Sequence, residues 1–156
     1  MTRTMMSVGF LFSDDLQNVL LLRKARPEWQ AGKLNGVGGH SEETDTTLED
    51  TMRRECLEEV GVDIAKSEWL RVVEMYNLAK DGDWMVVAFC AVAPLAVLEK
   101  AVSDTRDRDE KAEIVPVNAL HVLDKIVGNV RWLVPMAIDR LVNPDTFKRS
   151  TVEYGP

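Results

Sequence analysis

Residues 47–60 constrain this chain more than any other stretch. They hold no glycine or proline, and Thr46 or Thr47 stands where a capping side chain is needed. Glu49 and Asp50 suit a first helical turn, and Gly61 follows as a stop. The spacing predicts a helix whose apolar stripe carries Leu48, Met52 and Cys56. Glu59 falls close to that stripe in azimuth, and Glu55 and Glu58 flank it. Carboxylates therefore border the surface the helix buries. Two like charges about 4 Å apart repel by ~1 kcal/mol in water and ~4 kcal/mol near a protein surface. Such a cluster requires positive compensation. Arg53 and Arg54 can give it as ordinary ion pairs, or a hard divalent cation with oxygen ligands can.

Short apolar runs surround this helix. Residues 6–12 and 19–22 are separated by Ser13-Asp14-Asp15 and read as a hairpin or neighbouring strands. Residues 69–76 and 84–92 form a second pair, with a turn expected at 80–83. Residues 24–40 lose any period and hold Pro27, Gly32, Gly36, Gly38 and Gly39, so they read as loop with room for a short strand. Residues 94–111 end in a charged run and read as a mobile surface loop. A short strand is expected at 113–117, one helical turn at 118–123 and a helix at 130–142. Leu133, Met136, Ala137 and Leu141 give that last helix its period, and Pro135 falls near its start. Residues 144–156 read as a frayed tail behind a single mixed α/β domain of residues 1–143.

Composition narrows the function. The 156 residues are 46% apolar and 29% charged, which suits one globular domain with its own core. Cys56 and Cys90 show no zinc spacing and sit among apolar neighbours, so they read as buried small hydrophobes in a reducing, cytoplasmic setting. The net charge of −7 argues against binding bulk nucleic acid, while leaving room for a small phosphorylated ligand. No run is long enough for a membrane span. The loops of ATP motors and dinucleotide oxidoreductases (GxxxxGK[ST], GxGxxG) are missing, as is the GxSxG of serine hydrolases.

Gly38-Gly39 followed by Arg54-Glu55-Cys56-Leu57-Glu58-Glu59-Val60-Gly61-Val62 resembles the signature of the Nudix hydrolases, G-x5-E-x7-R-E-U-x-E-E-x-G-U. Cys56 stands where an aliphatic residue is usual. The first half carries one extra residue, and Asp45 or Thr46 falls where the family has a glutamate that pairs with the signature arginine. Upstream, residues 23–39 are similar to the strand-and-loop segment of MutT-type nucleoside triphosphate hydrolases. Asn35-Gly36-Val37-Gly38-Gly39 resembles the N-G-x-G-G of enzymes that clean oxidised purine nucleotides, with Leu34 in place of their tryptophan and His40 in place of their lysine.

The resemblance implies an α/β/α sandwich with a mixed sheet, a central signature helix and a C-terminal helix. It implies hydrolysis of a nucleoside diphosphate derivative by water attack on phosphorus, most simply of a nucleoside triphosphate, oxidised ones included. Glu55, Glu58, Glu59 and the Gly39 carbonyl would hold Mg²⁺ or Mn²⁺. Glu55 or Glu58 would accept the water proton, and Arg54 would orient the carboxylates. Asn35 and Gly38 would contact substrate. Arg23 is open between a phosphate contact and a solvated strand-end charge, and Trp84 between base stacking and packing. Glu110 or Glu113 is a further carboxylate to consider. Two alternatives remain: a nucleotide-binding regulatory module on the same fold, or an ADP-sugar or dinucleoside polyphosphate hydrolase. Either a monomer or a homodimer is compatible with the sequence.

Overall fold

β1 (Thr4–Ser13) and β2 (Asn18–Arg23) are buried along almost their whole length. Their side chains alternate between two cores. Phe10, Phe12, Val19 and Leu21 enter one, and Leu11, Leu20 and Leu22 enter the other. Apolar residues at successive positions are what a strand covered on both faces requires. The computed structural model describes residues 3–77 and 83–155 of the chain.

The sheet also contains β3 (Leu34–Asn35), β4 (Val37–His40), β5 (Leu70–Asn77), β6 (Trp84–Ala93), β7 (Lys111–Pro116) and β8 (Ser150–Tyr154). Its order is β3-β2-β1-β6-β5-β8, with β4 paired to β1 and β7 to β2. β1 and β6 run parallel in continuous register from Thr4↔Trp84 to Ser13↔Ala93. β5 and β6 are antiparallel, and β8 lies parallel to β5.

Helix α1 (Leu48–Val60) and helix α2 (Leu95–Asp104) cover one core through Leu48, Met52, Cys56, Val60, Leu98 and Ala101. Helix α3 (Val130–Val142) covers the other through Val130, Leu133, Val134 and Ala137. The result is the expected α/β/α sandwich with a mixed sheet. Helix α1 follows its sequence signals closely. Thr47 and Asp50 form a reciprocal capping box, and Gly61 adopts φ 73° and closes the last turn. Gly9 lets α1 settle on β1, since a Cβ there would lie 2.6 Å from the Met52 sulfur.

Two expectations are corrected. Residues 95–104 form helix α2, because Leu98 and Ala101 are both buried and Pro94 precedes the first turn, where a missing N–H breaks no helical bond. The segment expected to fray after Asn143 contains β8, which takes the free edge of β5. The glycine-rich stretch is loop for most of its length and supplies the short strands β3 and β4, in line with the room for a short strand read there. The turn expected at 80–83 falls largely on residues 80–82, outside the described residues.

Candidate active site

Three elements, β1, β4 and α1, meet where β4 passes under α1. Gly39 lies directly beneath Glu55, and a Cβ at Gly39 would sit 2.5 Å from the Glu55 carboxylate. A Cβ at Gly38 would come within 2.0 Å of the Ser7 carbonyl oxygen on β1. The glycine pair thus allows two separate close approaches, one to a strand and one to a carboxylate. The Gly38 amide donates to Glu59 Oε2 at 3.2 Å.

Arg54 organises the carboxylates. Its Nη2 donates to Asp45 Oδ2 at 2.8 Å and to the His40 carbonyl at 2.8 Å, and its Nη1 donates to Glu55 at 3.0 Å and Glu58 at 3.2 Å. Asp45 thereby supplies the partner that the shifted signature leaves without a glutamate. It also accepts from the Glu42 amide and the Thr51 hydroxyl. Its hydrogen bonds from Arg54 hold the Asp45 carboxyl down at about 2. The same bonds, those to Asp45 first, push the Arg54 guanidinium upward.

The three signature glutamates differ in environment. The Glu58 side chain is 57% exposed, whereas Glu55 and Glu59 keep only 14% and 17% of theirs in solvent. Burial raises the Glu55 carboxyl despite Arg54. Burial also pushes Glu59 up to about 7, opposed by Lys24 and by the Gly38 amide. Glu59 and Glu110 share Lys24, whose Nζ lies 3.8 Å from one and 3.1 Å from the other. Burial tends to raise Glu110, but the Ala25 amide and Lys24 together bring it below its ordinary value.

Glu110 stands between α2 and β7 on a well-fixed loop. At one end of the loop the buried Thr105 hydroxyl donates to the Ala101 carbonyl at 2.8 Å and accepts from the Ala112 amide at 2.9 Å. In its middle, Arg108 Nη1 donates to the Glu58 and Glu59 carbonyls at 3.1 and 3.0 Å, at the negative end of α1.

Glu55, Glu59 and Glu110 line a cavity of about 1150 Å³ with Lys24, Arg26, Asn35, Gly38, Gly39 and Trp84. Asn35 Nδ2 donates to Gln30 Oε1 at 3.0 Å, and its Oδ1 accepts from the Gly36 amide. The structure gives Arg23 another partner: its Nε and Nη2 grip Glu113 at 2.6 and 2.8 Å, and its Nη1 reaches the Gly32 carbonyl. The cations lining the cavity are Lys24 and Arg26. In an extended strand adjacent side chains point to opposite faces, so the sequence alone does not say which of Arg23 and Lys24 turns inward. Sequence reasoning also missed Ser7, Asn129 and Tyr154, three further cavity residues.

No three His, Cys, Asp or Glu side chains converge as a metal cage among the described residues, where Arg54 and Lys24 hold the carboxylates. The donor set nevertheless suits a hard divalent ion. Four carboxylate residues, Glu42, Glu55, Glu59 and Glu110, line one cavity and offer oxygen donors, and Glu59 is buried with its charge only partly offset.

A family-level comparison matches the NUDIX domain over residues 3–134. The chain belongs to the NUDIX domain family and carries the hydrolase signature on α1. Comparison with curated proteins returns no match. Among solved structures, the chain is similar to the NUDIX domain of Shewanella oneidensis NrtR complexed with ADP ribose, with 18% identity, a TM-score of 0.67 and 90% of each chain covered. It is similar to a mutT/nudix family protein from Listeria innocua, with 17% identity, a TM-score of 0.68, and 92% of this chain and 98% of that one covered. Shewanella oneidensis NrtR complexed with a 27mer DNA gives 20% identity and a TM-score of 0.67, covering 89% of this chain and 61% of that one. This chain therefore spans less than two thirds of the longer NrtR chain. At these identities the likeness establishes the fold. No helix among the described residues is long and apolar enough to cross a membrane.

Proposed function

We propose that this protein is a Mg²⁺-dependent hydrolase of nucleoside diphosphate derivatives, with nucleoside triphosphates, including oxidised ones, as its main substrates. The observation that carries this reading is the convergence of Glu55, Glu59 and Glu110 on one wall of a cavity that also holds Lys24, Arg26 and Trp84. Acid residues for a metal, cations for phosphates and an indole for a base thus share one space.

Glu55, Glu58, Glu59 and Glu110, with the Gly39 carbonyl, would hold Mg²⁺ or Mn²⁺. When bound, such an ion neutralises diphosphate charge and makes water a better nucleophile. Water attacks phosphorus, the anhydride P–O bond breaks and the leaving phosphate departs with the bonding pair. Of Glu55 and Glu58, Glu55 is the better base: burial raises its carboxyl, and it lies over Gly39 with Arg54 Nη1 donating to it at 3.0 Å. Arg54 is a positioning residue, since its guanidinium hydrogens go to Asp45, Glu55, Glu58 and His40. Lys24 and Arg26 bind phosphate oxygens, and Asn35 contacts the base.

The test is release of phosphate or pyrophosphate from a panel of nucleoside triphosphates, oxidised deoxynucleotides, ADP-ribose and diadenosine polyphosphates, with and without Mg²⁺. Turnover that needs Mg²⁺ and disappears in Glu59→Gln supports the reading. Absence of turnover across the panel overturns it. One observation favours a second reading, nucleotide binding with little hydrolysis: Arg54 and Lys24 already form ion pairs with the signature carboxylates Glu55 and Glu59. ADP-ribose, the ligand in the Shewanella NUDIX domain complex, is the probe for it. The net charge of −7 speaks against DNA as a partner, and a 27-base-pair duplex left unshifted by the protein is the corresponding check.

A further inference from the structure

The family match ends at residue 134, and β8 lies beyond it. β8 is nevertheless built into the cavity. Tyr154 is in register with Asn77 on β5, and Asn77 is in register with Trp84 on β6. One row across three strands therefore brings the Tyr154 and Trp84 rings together, with centroids 5.5 Å apart and planes tilted by 46°. Both rings line the cavity that holds Glu55 and Glu59, and both are only partly buried. A neighbouring row, Val152, Met75 and Val86, continues the apolar wall. Two residues lining the same cavity, Ser7 and Asn129, each carry a buried polar atom without a protein partner, Oγ and Oδ1. A buried carbonyl or hydroxyl left in this way suits a ligand with hydrogen-bonding edges.

We propose that β8 completes the substrate site, with Tyr154 and Trp84 forming the aromatic wall for the nucleobase and Tyr154 acting as a base-binding residue. This rests on the nucleotide reading above and extends it to a segment outside the matched domain. Aromatic faces bind flat rings of any base, while Ser7 and Asn129 contact the base edge.

The experiment measures equilibrium binding by the full chain of dGTP, ADP-ribose and inorganic tripolyphosphate, which has no base. Binding is compared for the native protein, Tyr154→Leu and Tyr154→Phe, with thermal melting recorded for each. The expected result is about tenfold weaker binding of at least one nucleotide by Tyr154→Leu, unchanged tripolyphosphate binding, and near-native affinity in Tyr154→Phe. Unchanged nucleotide affinity in Tyr154→Leu overturns the proposal. So does equal loss of tripolyphosphate, which marks a structural role, and so does failure of the native protein to bind either nucleotide. If the expected pattern appears without turnover in the release assay, the hydrolase reading fails alone. If turnover is seen but Tyr154→Leu leaves nucleotide binding intact, the Tyr154 assignment fails alone.

Discussion

Arg54 Nη2 lies 2.8 Å from Asp45 Oδ2, and the guanidinium Nε lies within 3.3 Å of both Asp45 oxygens. Asp45 is nearly enclosed, with 5% of its side chain exposed, and the Thr51 hydroxyl and Glu42 amide complete its shell. Asp45, a shorter side chain than glutamate, thus reaches the arginine across a loop one residue longer than the signature spacing. The pair fixes the base of the Glu55–Glu58 cluster without occupying the cavity.

Acid should therefore weaken this protein in a defined window. The folded Asp45 carboxyl sits at about 2, below its ordinary 3.8. A depressed acid stabilises the fold above its unfolded value, and that contribution fades as pH falls from about 4 towards 2. The effect should be about 1–2 kcal/mol after allowance for solvent screening. Asp45→Asn should lose that much at pH 7 and show a flatter stability profile below pH 4, measured by urea unfolding.

Glu59 predicts the opposite slope. Its folded value of about 7 lies above the ordinary 4.5, so its contribution is fully present below pH 4.5 and is lost as pH rises through 7. Glu59→Gln should stabilise the metal-free protein by about 2 kcal/mol at pH 8 and leave it nearly unchanged at pH 4.5. The same substitution should abolish hydrolysis. Mg²⁺ should raise the melting temperature of the native protein at pH 8 and have little effect on the variant.

The two glycines should separate folding from activity. Gly38→Ala drives a Cβ into the Ser7 carbonyl, and both groups are held by strand pairing, so a loss of about 3 kcal/mol or more is expected. Gly39→Ala meets only the end of the Glu55 side chain, which can swing away. That variant should fold with a melting temperature close to native while its kcat falls at least about tenfold. Circular dichroism melts and the release assay together check both outcomes.

Arg23 and Lys24 should behave differently although they are neighbours. Arg23 is committed to Glu113, so Arg23→Ala should leave nucleotide KM within about twofold and cost at most about 1 kcal/mol of stability. Lys24→Ala removes the cation shared by Glu59 and Glu110 in the cavity and should raise KM about tenfold. Steady-state kinetics on both variants decides the matter.

Much of this was legible in the residues. The capping box, the Leu48–Met52–Cys56 stripe and Gly61 specified α1 locally, and the glutamates inherited their positions from its period. The apolar runs at 6–12 and 19–22 likewise marked β1 and β2 as strands, and both faces of these runs are buried. What stayed hidden depended on distant partners. β8 is an edge strand whose pairing with β5 spans most of the chain's second half, and no local period reveals such a match. α2 was obscured by the charged run behind it, although Leu98 and Ala101 already mark its inner side. The choice of Lys24 over Arg23 depended on register, which no single strand encodes.

Arg108 grips the last carbonyls of α1 from the same loop that carries Glu110. Glu59 and Glu110, about a third of the chain apart in sequence, are thereby mounted on one bracket. A push on either segment is shared by the other, so an insertion between α2 and β7 would misalign both acids together instead of loosening one.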